Sequence, residues 1–249
     1  MATDGPELPP RLSVCMATFN GARFLEAQVD SILRQLGPLD ELLVSDDGST
    51  DRTPEILAGY GERLRVVGTS RVGGVVPNFE RALAAATGEL VALSDQDDVW
   101  LEGRVALIRQ RLSGSTLVAM NGVLVDEALK PLGRTVFQQV GVPGGFLRTL
   151  AVNRYVGCCM AFRRELLAAA LPFPPRVAAH DWFIALVAER LFDVTHDDRP
   201  LLLFRRHGRN ASTTGARSAN GLRARLAMRW SMLRAVARVM RRRERGAPG

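Results

Sequence analysis

The chain of 249 residues is poor in cysteine and has no long apolar run. Its three cysteines are odd in number, lie in apolar contexts and include the adjacent pair Cys158 and Cys159, which is not the pattern of a disulfide framework. We therefore expect free thiols and a reducing compartment. No segment approaches the roughly 18 apolar residues that cross a bilayer. Residues 1–10 are polar and proline-rich, so we expect no signal peptide and a cytoplasmic location.

Lysine is nearly absent, since Lys130 stands alone and arginine supplies the basic charge. The net charge is +7, yet residues 217–249 hold ten arginines against the single acid Glu244, so the rest of the chain is close to neutral. Apolar residues recur in this tail at three- and four-residue steps, which predicts an amphipathic basic helix. Such a helix is typical of binding to anionic membranes. Packing on the core and a nucleic-acid arm are the alternatives, and we expect no nucleic-acid partner. The apolar positions are Leu222, Leu226, Trp230, Leu233, Ala237 and Met240.

Strands and helices alternate through the first half of the chain. Short apolar, β-rich segments are separated by stretches in which apolar residues have helical spacing. This alternation predicts an α/β fold with a mostly parallel, Rossmann-like central sheet flanked by helices. Ligands of such sheets bind outside the carboxyl ends of the strands. The predicted strands are residues 12–17, 41–45, 64–67 and 90–93, and the predicted helices are residues 24–33, 54–60 and 75–86.

The second half of the chain is less regular. We predict a helix from near Trp100 to residue 112, and strands within residues 117–125 with a bend at Asn121. Residues 130–145 contain two prolines and four glycines, which predicts a loop or flap. The remaining predictions are a strand at residues 155–162, helices at residues 164–170 and 180–190, and a strand at residues 200–204.

Three of the predicted strands end in polar, turn-forming residues, and we expect these ends to meet at one edge of the sheet. One of them carries Asp95, Asp97 and Asp98 directly after a buried strand. Like charges so close together repel strongly unless a cation lies among them. We hypothesise a divalent metal that in turn holds a phosphate group. A solvated loop between a strand and a helix is the alternative.

Five short motifs resemble those of the inverting family 2 glycosyltransferases, which have a GT-A fold. In the first half these are Met-Ala-Thr-Phe-Asn-Gly at 16–21, Ser-Asp-Asp-Gly-Ser-Thr-Asp at 45–51 and Ser-Asp-Gln-Asp-Asp-Val-Trp at 94–100. His-Asp-Trp-Phe at 180–183 and Phe-Arg-Arg-His-Gly-Arg-Asn at 204–210 look like later motifs of the rhamnosyltransferase-like branch. Each motif alone is a weak signal, but five in this order are a strong one.

The resemblance covers residues 12–210 and departs from the family in residues 125–150 and in the tail, so the acceptor stays open. It implies transfer of a sugar, L-rhamnose from dTDP-L-rhamnose or else the sugar of a UDP-sugar. The implied acceptor is a saccharide or a polyprenyl-linked molecule in cell-surface polysaccharide synthesis, with the protein peripheral on the inner face of the plasma membrane.

The same resemblance divides the chain into four parts. Residues 1–10 are a flexible start, residues 11–112 the nucleotide-sugar half and residues 113–215 the acceptor half of the same domain, and residues 216–249 the basic tail.

For the nucleotide, the resemblance places Ala17 and Phe19 against the base and Asp47 on its ring nitrogen. Asn78 would face the ribose, and Asp95 would contact the ribose or a metal-bound water. The alternative for Asp47 is an Asx turn that caps the following helix, a role that Asp46 could fill instead. The alternative for Asn78 is a helix cap in a plain turn.

For the diphosphate, the resemblance assigns the metal, Mn²⁺ or Mg²⁺, to Asp97, since hard oxygen ligands select these ions. His207 is expected to be a metal ligand or a phosphate donor. Arg205 and Arg206 would neutralise the leaving diphosphate, and Asp98 would contact the donor sugar or cap the turn. A solvated basic loop is the alternative for the arginines and the histidine.

For catalysis, an inverting transfer needs one base to take the proton from the acceptor hydroxyl. The resemblance identifies that base as Asp181, near a predicted helix start, where a plain N-cap is the alternative. Trp100, Gly157, His180 and Trp182 are expected in the acceptor or sugar pocket. His180 would orient its neighbour, and burial in the core is the alternative for Trp100.

Two other functions compete with the transferase. A sugar-phosphate nucleotidyltransferase would need a glycine-rich basic loop directly after the first strand, and residues 18–22 lack it. A non-catalytic sugar- or nucleic-acid-binding module would depend on the basic tail.

Overall fold

The computed structural model of the chain describes residues 9–208 and 221–246. Strands and helices alternate through its first half, as predicted. The order is β1 (Leu12–Thr18), α1 (Leu25–Leu33), β2 (Glu41–Asp46), α2 (Thr53–Gly59), β3 (Arg65–Gly68), α3 (Val75–Ala84), β4 (Leu90–Ser94), β5 (Val99–Trp100) and α4 (Arg104–Leu112).

The second half of the chain is more irregular. Its order is β6 (Leu117–Val125), β7 (Pro131–Thr135), α5 (Val136–Val140), α6 (Phe146–Ala151), β8 (Met160–Arg163), α7 (Arg164–Ala170), α8 (His180–Leu191), β9 (Val194–Arg205) and α9 (Leu222–Gly246). The predicted residues 164–170 match α7, and the predictions for α8 and for the helix in the tail hold to within a few residues.

The described strands form one nine-stranded sheet in the order β3-β2-β1-β4-β8-β6-β9-β5, with β7 beside β6. The pairs among β1, β2, β3 and β4 are all parallel, as the sequence predicts. Beyond β4 only β6 and β9 pair in parallel, and β8, β7 and β5 join antiparallel. Strands β1 and β4 are buried along their length because helices cover both faces of the sheet. Their carboxyl ends therefore open together at one edge.

Three predicted elements are corrected. Trp100 lies in β5, which pairs with β9, so the helix begins only at Arg104, where the Gln35 side chain accepts its amide hydrogen bond. Residues 130–145 are not a plain flap: they hold β7 and α5, whose start has a capping box between Thr135 and Gln138.

The predicted strand at residues 155–162 is interrupted by a 3₁₀ turn at Gly157–Cys159, so only β8 is extended. The predicted bend in β6 takes the form of a register shift beside Asn121. There the Asn121 side chain accepts hydrogen bonds from the amides of Gly122 and Phe137.

Helix α9 packs on the core with a face that the sequence did not single out. Its buried residues are Met232, Ala235, Val236 and Val239. Leu226 and Trp230, predicted to form the apolar face, point outward and are 57% and 62% exposed. The helix thus both packs on the core and keeps an apolar outer surface.

Within the described residues, we find no helix with the length and apolar character needed to cross a membrane. Residues 1–8 and 209–220, which include most of the expected flexible start and the end of the last motif, lie outside the described chain.

Candidate active site

A cavity of about 690 Å³ opens at the carboxyl ends of β1, β2 and β4, beside the start of α3 and the start of α8. The sequence predicted that polar strand ends would meet at this edge. The cavity brings together nine of the predicted site residues: Ala17, Phe19, Asp47, Asn78, Asp95, Asp97, Gly157, His180 and Asp181.

Two adjacent aspartates at the end of β2 have different partners. Asp46 accepts hydrogen bonds from the Ser49 amide at 2.8 Å and from the hydroxyls of Ser49 and Thr18 at 2.6 and 2.7 Å. This is an Asx turn, in which the side chain replaces a backbone acceptor. Asp46 therefore has the structural role, and Asp47 is left to face the cavity.

Both oxygens of Asp47 hold the glycine-rich loop that precedes α3. Oδ1 accepts from the amides of Val72 and Gly73, and Oδ2 accepts from the amide of Gly74 at 2.8 Å. Burial raises the pKa of Asp47, but these amides and the charge of Arg71 outweigh burial and hold the pKa below its ordinary value. The ionised carboxylate thus fixes the loop. Each carboxylate oxygen accepts two hydrogen bonds, so Oδ2 can also accept one from a ligand.

Asn78 lies inside α3 rather than at its cap and joins three elements. Its amide nitrogen donates to the Thr18 carbonyl at 3.0 Å, and its oxygen accepts from the Ser45 hydroxyl at 2.6 Å. Arg81, which the sequence analysis passed over, adds bonds from its guanidinium to the Ser45 hydroxyl and the Asp46 carbonyl. Its position one turn after Asn78 on the same helix was the available signal. The ends of β1 and β2 are held together by this network.

Gln96 was also passed over, although it lies between two of the predicted aspartates. Its side chain accepts from the Phe19 amide at 2.8 Å and donates to the Phe19 carbonyl at 3.0 Å. A Cβ at Gly21 would lie 2.2 Å from the Gln96 oxygen, so a larger residue there would displace the Gln96 side chain from Phe19. The ring of Phe19 is left 46% exposed at the rim of the cavity, where a planar base could stack on it.

The three carboxylates after β4 differ in depth. Asp95 lines the cavity, and burial, the charge of Asp97 and the charge of Asp181 raise the pKa of Asp95 to about 7. Asp98 is fully buried, and burial together with the charges of Asp97 and Asp95 raises its pKa well above the ordinary value. One Asp98 oxygen accepts from the Arg205 amide at 2.9 Å, and the other has no hydrogen-bond partner in the described part of the chain.

Residues at and just after the end of β9 contact the turn that contains Asp97. Arg205 donates from Nε to the Asp97 carbonyl at 2.7 Å and from Nη1 to the Glu127 carbonyl, and its guanidinium lies 4.4 Å from the centre of the Phe24 ring. His207 Nε2 lies 2.7 Å from Asp97 Oδ2. The structure therefore brings the two predicted metal ligands together, while Arg205 contacts the backbone of the turn.

The donor set fits a hard divalent cation. Asp95, Asp97 and His207 offer carboxylate oxygens and an imidazole nitrogen. Burial and the charges of Asp97 and Asp181 raise the pKa of Asp95, and a bound cation would favour its ionised form. A second grouping, not predicted, has ligand atoms of Asp95, Asp98 and Cys158 within 4.8 Å of one another. Burial raises the pKa of the Cys158 thiol well above its ordinary value, so it stays protonated and is the weaker candidate.

Asp181 stands on the wall of the cavity formed by α8. It lies in the first turn of the helix, whose N-cap is Ala179, so the plain N-cap alternative does not hold. Burial raises the pKa of Asp181 to about 6 against hydrogen bonds from the amides of Trp182 and Gly157 and from the Asn153 side chain. Such a carboxyl can change protonation near neutral pH, as a general base requires.

His180 is neutral and faces the cavity beside that carboxyl. Its ring stacks on Phe79 with centroids 4.0 Å apart, and burial lowers its pKa to about 3. Nε2 is buried without a hydrogen-bond partner in the described residues. A Cβ at Gly157 would lie 3.0 Å from this nitrogen, which explains the conspicuous glycine.

Five predicted pocket or donor residues do not line the cavity: Asp98 and Arg205, described above, and Trp100, Trp182 and Arg206. Trp100 is buried in β5 under Arg104, whose guanidinium lies 4.8 Å from the ring centre. Trp182 points toward α6, where its Nε1 donates to the Thr149 carbonyl at 2.7 Å. Both indoles therefore pack in the core rather than line the cavity, which for Trp100 is the alternative given with the prediction. Arg206 is half-buried and does not line the cavity itself, but its guanidinium lies 5.7 Å from the centre of the Phe204 ring, which does.

The sequence model of Glycosyl transferase family 2 matches residues 13–170, well over half of the chain. The chain therefore belongs to glycosyltransferase family 2, as its motifs indicated.

Three relatives illustrate the range of that family. TuaG of Bacillus subtilis (strain 168), provisionally named a teichuronic acid biosynthesis glycosyltransferase, is 33% identical over 130 residues, which cover 47% of this chain and 52% of TuaG. The dTDP-rhamnosyl transferase RfbG of Shigella flexneri is 25% identical over 222 residues, 78% of this chain and 72% of RfbG. WfgD of Escherichia coli, a UDP-Glc:alpha-D-GlcNAc-diphosphoundecaprenol beta-1,3-glucosyltransferase, is 29% identical over 97 residues, 39% of this chain and 38% of WfgD. The chain thus spans about half the length of TuaG and less of WfgD.

Two solved structures share the fold. S. aureus TarS (residues 1–349) in complex with UDP-GlcNAc superposes with a TM-score of 0.66 at 18% identity, covering 92% of this chain and 66% of TarS. The mannosyltransferase PcManGT of Pyrobaculum calidifontis, in complex with GDP-Man and Mn²⁺, gives a TM-score of 0.58 at 24% identity, covering 95% of this chain and 66% of PcManGT. These likenesses confirm the GT-A fold that the sequence predicted.

Proposed function

We propose that this protein is an inverting glycosyltransferase that moves a sugar from a nucleoside diphosphate to an acceptor hydroxyl. One observation carries the proposal: Asp181 on α8 and Asp95 and Asp97 after β4 face the same cavity, closely enough that Asp181 raises the pKa of Asp95. In this proposal, Asp95 and Asp97 belong to the site of the leaving diphosphate, and Asp181, whose pKa is raised to about 6, is the base.

On the donor wall, the residues would bind and orient the nucleotide. Phe19 offers a ring face to the base, Asp47 keeps an acceptor for a ring N–H, and the network of Asn78 holds the two strand ends at a fixed spacing. Asp97 and His207, with Asp95, would hold the divalent metal. When bound, Mn²⁺ or Mg²⁺ would supply positive charge to the departing diphosphate.

On the acceptor wall, Asp181 would take the proton from the attacking hydroxyl at its carboxylate oxygen. One base is enough, because the acceptor replaces the diphosphate in a single displacement that inverts the anomeric carbon. His180 beside it is neutral, and its buried Nε2 has no hydrogen-bond partner in the described residues. This nitrogen would form a hydrogen bond with a sugar hydroxyl. Arg205 acts indirectly, since it holds the Asp97 backbone.

For the donor sugar, L-rhamnose from dTDP-L-rhamnose is our first choice and a UDP-sugar the second. The name of RfbG supports the first. The nucleotide complexes of TarS and PcManGT support the wider class of nucleotide sugars.

For the acceptor, we propose a saccharide or a lipid-linked saccharide in the synthesis of a cell-surface polysaccharide, in keeping with the names of TuaG and WfgD. Helix α9 would bring the protein to such an acceptor. Its outward residues Leu226 and Trp230 are exposed beside Arg234, the composition of a helix that lies on an anionic membrane surface. This would place the protein on the inner face of the plasma membrane.

The test is a panel of nucleotide sugars that includes dTDP-rhamnose, UDP-GlcNAc, UDP-glucose and GDP-mannose, each with and without Mn²⁺. We expect metal-dependent binding and slow hydrolysis of one donor in the wild type and in His196→Ala, a histidine far from the cavity. His207→Ala should lose the metal dependence. Binding of no nucleotide sugar by the wild type would refute the proposal.

The two rival functions make different predictions. A sugar-phosphate nucleotidyltransferase would form a nucleotide sugar from a sugar phosphate and a nucleoside triphosphate, which we expect to be undetectable. A nucleic-acid-binding module would lose its function when exposed arginines of α9 are replaced, as in Arg223→Gln/Arg225→Gln, whereas the transferase should keep its activity on a soluble acceptor.

A further inference from the structure

A second cleft, of about 390 Å³, lies between α9 and the loop that follows α7. One wall carries four arginines at a spacing that places them on one stripe of the helix. The facing wall is apolar and contributes no carboxylate. The arginines are Arg238, Arg241, Arg242 and Arg245, and the facing residues are Pro172, Phe173, Pro174 and Pro175.

The charge of this cleft is not balanced by the protein around it. Within residues 9–208 and 221–246, no ion pair joins Arg238, Arg241 or Arg245 to a carboxylate. Four like charges on two turns of one helix repel each other, and an anion between them would remove that repulsion. Guanidinium groups present paired N–H donors that match the oxygens of phosphate groups.

Hydrogen bonds connect the two walls of the cleft. The Arg242 guanidinium reaches the carbonyls of Leu171 and Pro172 at 3.4 to 3.5 Å. The Ser231 hydroxyl donates to the Arg176 carbonyl at 3.1 Å. Both contacts connect the proline-rich loop to α9.

The same loop leads from the cleft into the candidate active site. Pro175 lines the cleft, and Ala178, three residues later, lines the cavity beside Asp181. Three residues of extended chain span at most about 11 Å. Behind the loop, the Phe173 amide donates to the Glu80 side chain, and the adjacent Phe79 lines the cavity. Pro175 of the cleft and Ala178 of the cavity are therefore at most about 11 Å apart.

We propose that the four-arginine cleft binds the diphosphate group of a lipid-diphosphate-linked acceptor, while the sugar of that acceptor reaches Asp181. This rests on the proposed transferase function and narrows the acceptor to molecules that carry a diphosphate. The prolines and Phe173 opposite the arginines would contact the first carbons of the lipid.

The test compares two double variants with equal loss of charge on the same helix. Arg238→Gln/Arg241→Gln removes two exposed arginines of the cleft, and Arg223→Gln/Arg225→Gln removes two exposed arginines of the first turns of α9. Titration calorimetry with inorganic pyrophosphate, in buffer without divalent metal, should give equal affinity in the wild type and the control. The cleft variant should bind at least about tenfold more weakly, because each lost charge-assisted hydrogen bond reduces affinity by about that factor.

Farnesyl diphosphate should compete with pyrophosphate in the wild type and bind weakly to the cleft variant. Vesicles of phosphatidylglycerol and phosphatidylcholine should bind the cleft variant and the control alike. Equal pyrophosphate affinity in all three proteins, or an equal loss in both variants, would overturn the proposal. So would a cleft variant that loses vesicle binding but keeps pyrophosphate affinity, because the cleft would then bind headgroups.

Titration with UDP and Mn²⁺ separates this proposal from the transferase itself. The cleft variant should bind UDP as the wild type does. Failure of the wild type to bind any nucleotide would count against the transferase, while the pyrophosphate result would stand by itself.

Discussion

The two walls of the cavity differ in how far the protein satisfies their polar groups. On the wall that we propose to bind the donor, called the donor wall, Asp47, Asn78 and Gln96 each have hydrogen bonds to backbone or side chains that fix their positions. On the acceptor wall, the buried Nε2 of His180 has no partner in the described residues, and the pKa of Asp181 is raised. The polar groups of the donor wall are already hydrogen-bonded. On the acceptor wall, His180 Nε2 can still bond to a ligand and Asp181 can still take up a proton.

The largest effect should come from the base. Asp181→Asn keeps the size of the side chain but removes its basicity, so transfer should fall by about 10²–10⁴-fold. Donor affinity, measured by calorimetry, should stay within about twofold, because the hydrogen bonds that hold Asp47, Asn78 and Gln96 do not involve this residue. Glu189→Gln on the same helix is the control. Full turnover by Asp181→Asn would show that Asp181 is not the base.

Removal of Asp97 should act on the other wall. Asp97→Ala deletes the carboxylate that His207 contacts, and donor affinity in Mn²⁺ should fall by about 10–100-fold. Affinity without metal should change little. Asp126→Ala, an aspartate outside the cavity, is the matched control. Equal donor affinity of Asp97→Ala and the wild type at every Mn²⁺ concentration would show that the metal assignment is wrong.

The acceptor wall should also set the pH dependence of transfer. The pKa of Asp181 is raised to about 6, so its basic form predominates above pH 6 and is lost as the pH falls. With saturating donor, the rate should drop about tenfold per pH unit below 6. The groups that face Asp181 are Asp95 and the neutral His180. A rate that is flat from pH 5 to 7 would contradict this role.

The raised pKa of Asp181 also makes the stability of the fold depend on pH. Because the folded-state pKa lies above the unfolded value, the protonated carboxyl favours the fold, and this contribution is lost as the pH rises from about 4 to about 6. Asp181→Asn should therefore gain melting temperature relative to the wild type at pH 7 but not at pH 4.

Loosening the donor wall should have a moderate effect. Asp47→Asn replaces an acceptor by a donor at the amides of Val72, Gly73 and Gly74, which should lower donor affinity about tenfold and stability by about 1–3 kcal/mol. Hydrogen exchange of these three amides should accelerate. Glu62→Gln, on an exposed turn, is the control. Wild-type exchange rates in Asp47→Asn would show that the loop is held by other contacts.

The smallest effect on chemistry should come from α9. Trp230→Ser removes an exposed side chain, so transfer to a soluble acceptor should be unchanged. Co-sedimentation with vesicles of phosphatidylglycerol and phosphatidylcholine should weaken about tenfold, because an interfacial tryptophan is lost. Val142→Ser, a half-exposed apolar residue elsewhere, is the control. Equal sedimentation of both variants would count against the membrane surface.

The same contrast explains what the sequence could predict. Strands β1 and β4 are buried on both faces and read as short apolar runs, and their polar ends mark the donor wall. The acceptor wall depends on contacts between distant segments. The 3₁₀ turn at Gly157–Cys159 exists where an apolar run predicts a strand, because the Gly157 amide reaches Asp181.

The sequence also does not predict which side chains form hydrogen bonds with distant backbone groups. Gln96 pairs with both backbone groups of Phe19, 77 residues away, and no local pattern predicts such a pair. The apolar stripe of α9 was predicted from its spacing, but only packing decides which of two apolar faces the core covers.

The stereochemistry of transfer tests the central claim most directly. Once a donor is found, proton NMR of the first product formed should show an anomeric configuration opposite to that of the donor, and Asp181→Asn should form this product about 10²–10⁴-fold more slowly. This is the expected result of one displacement assisted by one base. A product with the donor's own configuration would contradict the account, because two successive displacements would need a nucleophile that it does not assign.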